Sequence, residues 1–239
     1  MGRHMPIRCI LFDFDDTLVD SEPARQAARW AVALTLSRTY GIDVNHVLRV
    51  ITDVERSMEA RGVYDRSEWW RAVARILGIE LRGIEGQLTT MYWRQWIMNT
   101  RPFPDTEEAL TTLSRHGLTL GVIANDDGIP GHKRDRIVNS GIPTNTLKLI
   151  LVAGDDTERR KPDPQPFRKA LETLGMEPWE CAYVGDKPHD DVPGARAIGM
   201  WTVIIARRQV PVFGVNMEKP HMVIGTLKQL INTIRHTNT

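Results

Sequence analysis

Three short apolar runs in this chain each stop at carboxylates or their amides, and that recurrence restricts the fold more than any other feature. Residues 7–12 end at Asp13-Phe14-Asp15-Asp16-Thr17, residues 118–124 at Asn125-Asp126-Asp127-Gly128, and residues 181–184 at Gly185-Asp186. Continuous apolar runs of this length suit strands buried on both faces. Residues 147–153 and 201–205 read as further strands, and 222–224 as a last one. Helical patterns fall between them, near 132–140, at 166–174, near 191–198 and at 227–234. Strands alternating with helices imply an α/β fold, a doubly wound parallel sheet covered on both faces. Ligands of such sheets bind beyond the carboxyl ends of the strands. The acids of 13–16, 126–127 and 186–191 are therefore expected to meet in one crevice.

The stretch after Asp20 has a different character. Asp20-Ser21-Glu22-Pro23 reads as a helix start, with a capping side chain and an early proline. Ala24, Ala27, Ala28 and Ala31 recur at helical spacing, as do Trp70, Val73, Ala74 and Leu77. Gly41, Gly62 and the region from Gly78 to Gly86 break the pattern into about four helices, with no strand. The prolines of Arg101-Pro102-Phe103-Pro104-Asp105 mark a stiff connection back. The expected organisation is two domains: a discontinuous α/β core of 6–20 with 101–239, and a helical domain of 21–100. Trp30, Trp69, Trp70, Trp93 and Trp96 are expected mainly to pack the helical core, with one or two free to line a pocket. Trp93 and Trp96, three apart, share a helix face. His132, beside Lys133 and Arg134, could meet a phosphate but reads first as part of a surface cluster at a helix start; His189 could contact substrate or metal but reads first as a surface-loop residue.

Composition excludes several function classes. A formal net charge of +1 argues against a nucleic-acid partner. No apolar stretch reaches the ~20 residues needed to span a bilayer, so no membrane partner is expected. Cys9 and Cys181 each border a strand-like run and read as core thiols, which suits a reducing, cytoplasmic setting. Residues 1–5 lack the apolar segment of a signal peptide and look like a cloning remnant ahead of Met5.

The acids suggest phosphoryl transfer. That chemistry needs a nucleophile, a proton donor for the leaving group, and positive charge on the transferring oxygens. Asp13 and Asp15 lie where the chain leaves its strand, so both carboxylates can face the crevice. One can attack phosphorus to form an aspartyl-phosphate, and the other can protonate the leaving oxygen. Mutually repelling carboxylates call for a cation, and all-oxygen ligands favour Mg2+. Asp186 is the natural third anchor, and Lys161 would offset phosphate charge.

With those residues in place, the chain resembles the haloacid dehalogenase-like hydrolase superfamily. Asp13-Phe14-Asp15-Asp16-Thr17-Leu18-Val19-Asp20 is similar to its first motif. Lys161-Pro162-Asp163-Pro164-Gln165-Pro166-Phe167 is similar to its lysine motif, and Val184 to Ala195 to its distal acidic motif. The resemblance runs from about residue 7 to 206, with all three motifs in order. It implies a Rossmann-like core, Asp13 as nucleophile, Asp15 as general acid/base and Lys161 as the charge-stabilising lysine. It also implies Mg2+ held by Asp13, Asp186 and the backbone carbonyl of Asp15. Asp191 matches the second distal acid, supporting the metal or its waters, with Asp190 as the alternative. Thr17 would order the turn, and Asp16 stands where a glycine is common. The helical stretch looks like the family's inserted cap, a lid that excludes water and selects substrates. Asp15 points to phosphate esters, because haloacid-hydrolysing relatives lack that second aspartate.

One position departs from the pattern. The second motif places Ser or Thr before an Asn; here Ala124 precedes Asn125, the pair being the expected substrate-binding residues together with Lys161. A hydrogen bond to a charged group is worth roughly 1.5–3 kcal/mol, so its absence would slow transfer by about 10- to 150-fold. The expected function is Mg2+-dependent hydrolysis of a small phosphorylated metabolite. The alternatives are a phosphomutase on the same scaffold, or a catalytically weak phosphate-binding protein.

Overall fold

The computed structural model of the chain describes residues 7–211, 213–215 and 217–237; residues 1–5, read above as a cloning remnant, lie outside the described residues. The elements in chain order are β1 (Cys9–Phe12), β2 (Val19–Asp20), α1 (Glu22–Tyr40), α2 (Val44–Ala60), α3 (Arg66–Leu77), α4 (Glu85–Asn99), β3 (Arg101–Pro102), α5 (Thr106–Arg115), β4 (Thr119–Asn125), α6 (His132–Val138), β5 (Leu147–Ala153), α7 (Gln165–Leu174), β6 (Cys181–Gly185), α8 (Pro188–Asp191), α9 (Pro193–Ala197), β7 (Trp201–Ile205), β8 (Met222–Ile224) and α10 (Leu227–Thr237). They form two compact units: Arg101–Asp126 and Gly131–Thr239 join the chain start through Asp20, while Ser21–Thr100 cluster with Asp127–Pro130.

The first unit is a six-stranded sheet in the order β5-β4-β1-β6-β7-β8. All its pairings are parallel. Strand β1 is central because each of its residues is buried, and it pairs with β4 on one side and β6 on the other. The strand order therefore reverses at β1, so its carboxyl end opens onto the switch-point crevice. Alternation sends Ile10 and Phe12 into one apolar layer with Leu110 and Leu113 of α5 and Leu230 of α10. Cys9 and Leu11 enter the opposite layer with Phe167 and Leu171 of α7. Gly121 of β4 belongs to the same design, since a Cβ there would lie 2.9 Å from Leu11 Cδ2 and 3.1 Å from the Leu149 carbonyl oxygen.

Three local features differ from the sequence reading. Helix α5 was not expected, although Ala109, Leu110 and Leu113 form its buried stripe. Its usual start signal is masked: Asp105 stands at the N-cap but makes no capping bond. The carboxylate instead accepts from Arg207 Nη1 at 2.8 and 3.0 Å and from Leu227 N at 2.8 Å. The proline-rich connection carries a short strand pair, with Val19 opposite Pro102 and Asp20 opposite Arg101. The helix expected near 191–198 is broken into α8 and α9 by Pro193, which lacks the amide a continuous helix needs.

The second unit contains the four expected helices. Pro23 sits in the first turn of α1, but Ser21 makes no side-chain capping bond, contrary to expectation. Asp43 and Asp65 do cap, accepting from His46 N and Ser67 N. Ala24 and Ala28 line the buried face of α1, where Trp69, Trp70, Trp93 and Trp96 fill the core. Trp93 and Trp96 lie together with ring centroids 5.6 Å apart, whereas Trp30 is exposed. Buried Glu55 is compensated by Arg29 at 2.7 Å and Arg25 at 3.6 Å.

Candidate active site

The carboxyl ends of β1 and β6 bring Asp13, Asp186 and Asp191 together, with carboxylate oxygens within 4.8 Å of one another. Lys161, from the loop before α7, lies among them with its side chain 3% exposed. Its ammonium donates to Asp13 Oδ1 at 2.6 Å, Asp191 Oδ1 at 2.8 Å and Tyr183 Oη at 2.8 Å. The three bonds use all three ammonium protons. Tyr183 donates in turn to the Ile123 carbonyl at 2.8 Å, linking β6 to β4. Burial opposes the Lys161 charge, but Asp13 and Asp191 outweigh it and hold its pKa well above the ordinary value. Lys161 is therefore a permanent cation in this cluster.

Asp13 and Asp186 lack such full compensation. Burial raises the Asp13 pKa against the opposing pull of Lys161. Burial and then the charge of Asp13 push Asp186 well above the usual carboxylate range. Among the described residues, Asp186 Oδ1 is buried without a hydrogen-bond partner. A buried, unpartnered carboxylate oxygen beside a second carboxylate is destabilising unless a cation completes it. The donor set is all oxygen, so the residues fit a hard divalent ion such as Mg2+.

Asp191 is bound differently. Its Oδ1 takes Lys161, and its Oδ2 accepts from Lys187 N at 2.8 Å. Both oxygens are thus committed to anchoring Lys161 and the β6–α8 turn. Gly185 makes room for this carboxylate: an added Cβ would lie 2.3 Å from Asp191 Cγ. Gly185→Ala is expected to displace Asp191 and weaken Mg2+ binding by about 10- to 100-fold, the range for losing a group that supports a metal ligand. Isothermal titration of the purified variant checks this. Asp190, the alternative distal acid, stands outside the cluster, with the ring of exposed His189 3.6 Å from its Oδ1.

Several expected site residues are placed elsewhere. The Asp15 carboxylate lies outside the acidic cluster; the backbone carbonyl of Asp15, not its side chain, is the expected metal ligand. The carboxylate is bound by Lys133 Nζ at 2.5 Å and by Arg136 Nη2 at 2.5 Å. Lys133 is accordingly buried, not part of a surface cluster. The β4 strand end contributes no acid to the metal group either: Asp126 is held by Arg160 at 2.6 and 3.1 Å, and Asp127 clusters with the helical unit. Asn125, expected to meet substrate, holds the Lys161 backbone with both ends of its amide. Oδ1 accepts from Lys161 N at 2.8 Å, and Nδ2 donates to Lys161 O at 3.2 Å. Ala124 is buried in the apolar layer with Phe14 and Val19 and presents no polar atom.

The turn after Asp13 is held from a distance. Asp16 has φ +59°, a conformation for which glycine is the usual choice and which aspartate tolerates. Its carboxylate accepts from Arg208 at 3.1 Å. The Thr17 carbonyl accepts from Arg207 Nη2 at 2.7 Å and Nε at 3.2 Å. Sequence reasoning missed Arg207, Tyr183, Lys133 and Arg136. For the last two a signal existed, because Lys133, Arg136 and Ile137 fall on one face of α6 and all three are buried.

This fold and cluster define a doubly wound α/β protein with a lysine-bridged carboxylate centre at its switch point. The haloacid dehalogenase-like hydrolase family matches residues 7–199, and the chain belongs to that family. A phosphoserine phosphatase of Thermus thermophilus is 38% identical over 105 residues, which is 44% of this chain and 41% of that protein. A glyceraldehyde 3-phosphate phosphatase of Methanocaldococcus jannaschii is 26% identical over 96% of this chain and 98% of its own. Among solved structures, a phosphatase of the family from Thermococcus onnurineus superposes with a TM-score of 0.68 at 27% identity, covering 95% of this chain and 97% of that one.

Proposed function

We propose that this protein is a Mg2+-dependent phosphatase that hydrolyses a small phosphomonoester through an aspartyl-phosphate on Asp13. The observation that carries the reading is the state of Asp13: Lys161 holds Oδ1 at 2.6 Å, leaving Oδ2 as the other oxygen for attack. Full-length similarity to phosphatases supports the reaction class. Asp13, Asp186 and the backbone carbonyl of Asp15 would hold Mg2+, with Asp191 supporting from behind. The ion, when bound, supplies positive charge for the phosphoryl oxygens and for the crowded carboxylates.

Lys161 offsets part of the charge of Asp13 and Asp191 and keeps Asp13 aimed. Asn125 fixes Lys161 by its backbone. Asp15 donates the proton to the leaving oxygen and takes one from the water that follows. The helical unit, 21–100, acts as the inserted cap that selects substrates. Two buried free thiols, Cys9 and Cys181, suit a cytoplasmic setting.

Phosphate release from a panel of sugar phosphates, nucleotides, phosphoserine and phosphoglycolate tests the proposal. Turnover should require Mg2+ and vanish with chelator; an isomerised sugar phosphate in place of free phosphate would identify a mutase instead. Ala124 favours a second reading, a weak enzyme that mainly binds phosphate. Ala124→Ser belongs in the same assay. Absence of turnover in both forms, with binding of a phosphate mimic retained, would establish that second reading.

A further inference from the structure

Two cations on α6 converge on the Asp15 carboxylate. Lys133 Nζ bonds Oδ2 at 2.5 Å, while Arg136 spans both oxygens, Nη2 to Oδ1 at 2.5 Å and Nη1 to Oδ2 at 3.2 Å. Their side chains are only 8% and 3% exposed, so this is not a chance surface pairing. The Arg136 guanidinium also lies 5.7 Å from the ring centroid of Phe14, the residue between Asp13 and Asp15. A fork-shaped pairing fixes the plane of a carboxylate as well as its position. Orientation of that kind matters most for a group that must meet a small, mobile reactant.

We propose that Lys133 and Arg136 are positioning residues for the second half of the reaction, holding Asp15 where it receives a proton from the attacking water. The inference rests on the covalent reading above. In that step the water oxygen bonds to phosphorus while the bond between phosphorus and the Asp13 oxygen breaks. The electron pair of the broken bond returns to Asp13, the water proton passes to Asp15, and inorganic phosphate leaves. Misplacing Asp15 leaves a phosphoryl-enzyme that forms but hydrolyses slowly.

Rapid-quench kinetics with p-nitrophenyl phosphate and Mg2+ separate the two halves, because this leaving group departs without a proton donor. Arg136→Met and Lys133→Met should release an initial burst approaching one p-nitrophenolate per enzyme. They should then turn over about 10- to 100-fold more slowly than the unaltered protein, within the range of general acid–base effects. Mass spectrometry of the quenched variants should find phosphate on the Asp13 peptide. Arg136→Lys keeps the charge without the fork and should accumulate an intermediate amount; it also serves if Arg136→Met does not fold. Loss of burst and steady rate in equal proportion overturns the proposal, as does a raised KM with unchanged kcat, which would make the pair a substrate-binding element. If Asp15→Asn accumulates phosphoryl-enzyme while the α6 variants do not, the covalent reading stands and this inference falls. If Asp13→Asn still turns over, both fall.

Discussion

Asp13→Asn is expected to abolish phosphate release, by about 10,000-fold or more, the scale seen when a covalent nucleophile is removed. That corresponds to about 5.5 kcal/mol of transition-state stabilisation. The fold should survive, because asparagine keeps the shape and still offers Oδ1 to Lys161, which lies 2.6 Å from that atom. Stability should not fall much either. Asp13 sits among repelling carboxylates, and burial already raises its pKa before that repulsion adds to it. Asp186, raised by burial and then by Asp13, should relax toward the ordinary carboxylate range in the variant. Phosphate release and thermal melting on the same preparation check both halves. Retained Mg2+-dependent turnover in a folded Asp13→Asn protein would falsify the covalent assignment.

Lys161→Met should affect stability as well as rate. The ammonium satisfies Asp13, Asp191 and Tyr183 at once, at distances of 2.6 to 2.8 Å. Methionine matches its length but leaves buried carboxylates uncompensated. Removing one partner of a buried ion pair costs about 3–5 kcal/mol of unfolding free energy. Loss of a fixed charge aimed at the reacting group should lower kcat by about 100- to 1,000-fold. The two effects have different remedies. A Mg2+ ion held as proposed would neutralise some of the same carboxylates, so saturating metal should recover part of the stability but little of the rate. Urea unfolding with and without Mg2+, beside steady-state kinetics, reads the difference. Equal stability of the variant and the unaltered protein would mean that Lys161 does not compensate the cluster.

Much of the fold was legible because it is written in short-range pattern. Strands at Leu147–Ala153 and Trp201–Ile205 begin and end where their apolar runs do. The four helices of 21–100 followed from apolar spacing and glycine breaks. Helix α5 was missed for a tertiary reason: its Asp105 answers Arg207, 102 residues away, and not its own first turn. The candidate site divides in the same way. Asp13, Asp186, Asp191 and Lys161 were nameable from position and motif, and the structure brings them together. Asn125 was nameable too, but the Lys161 backbone that it holds lies 36 residues away.

The sequence by itself determined that strands would end in acids, that the sheet would be parallel, and that a run of helices would follow Asp20. These follow from residue type and local spacing, which act within a turn or a strand. Only the tertiary structure decided which acids remain without compensation. Asp15 and Asp126 look like Asp13 and Asp186 in the sequence, yet Lys133 and Arg136 neutralise the first and Arg160 the second. Among the described residues, Asp186 Oδ1 is left buried and unpartnered. The physical reason is that charge compensation depends on distance in space, and the cations that settle it arrive from 34 to 121 residues along the chain.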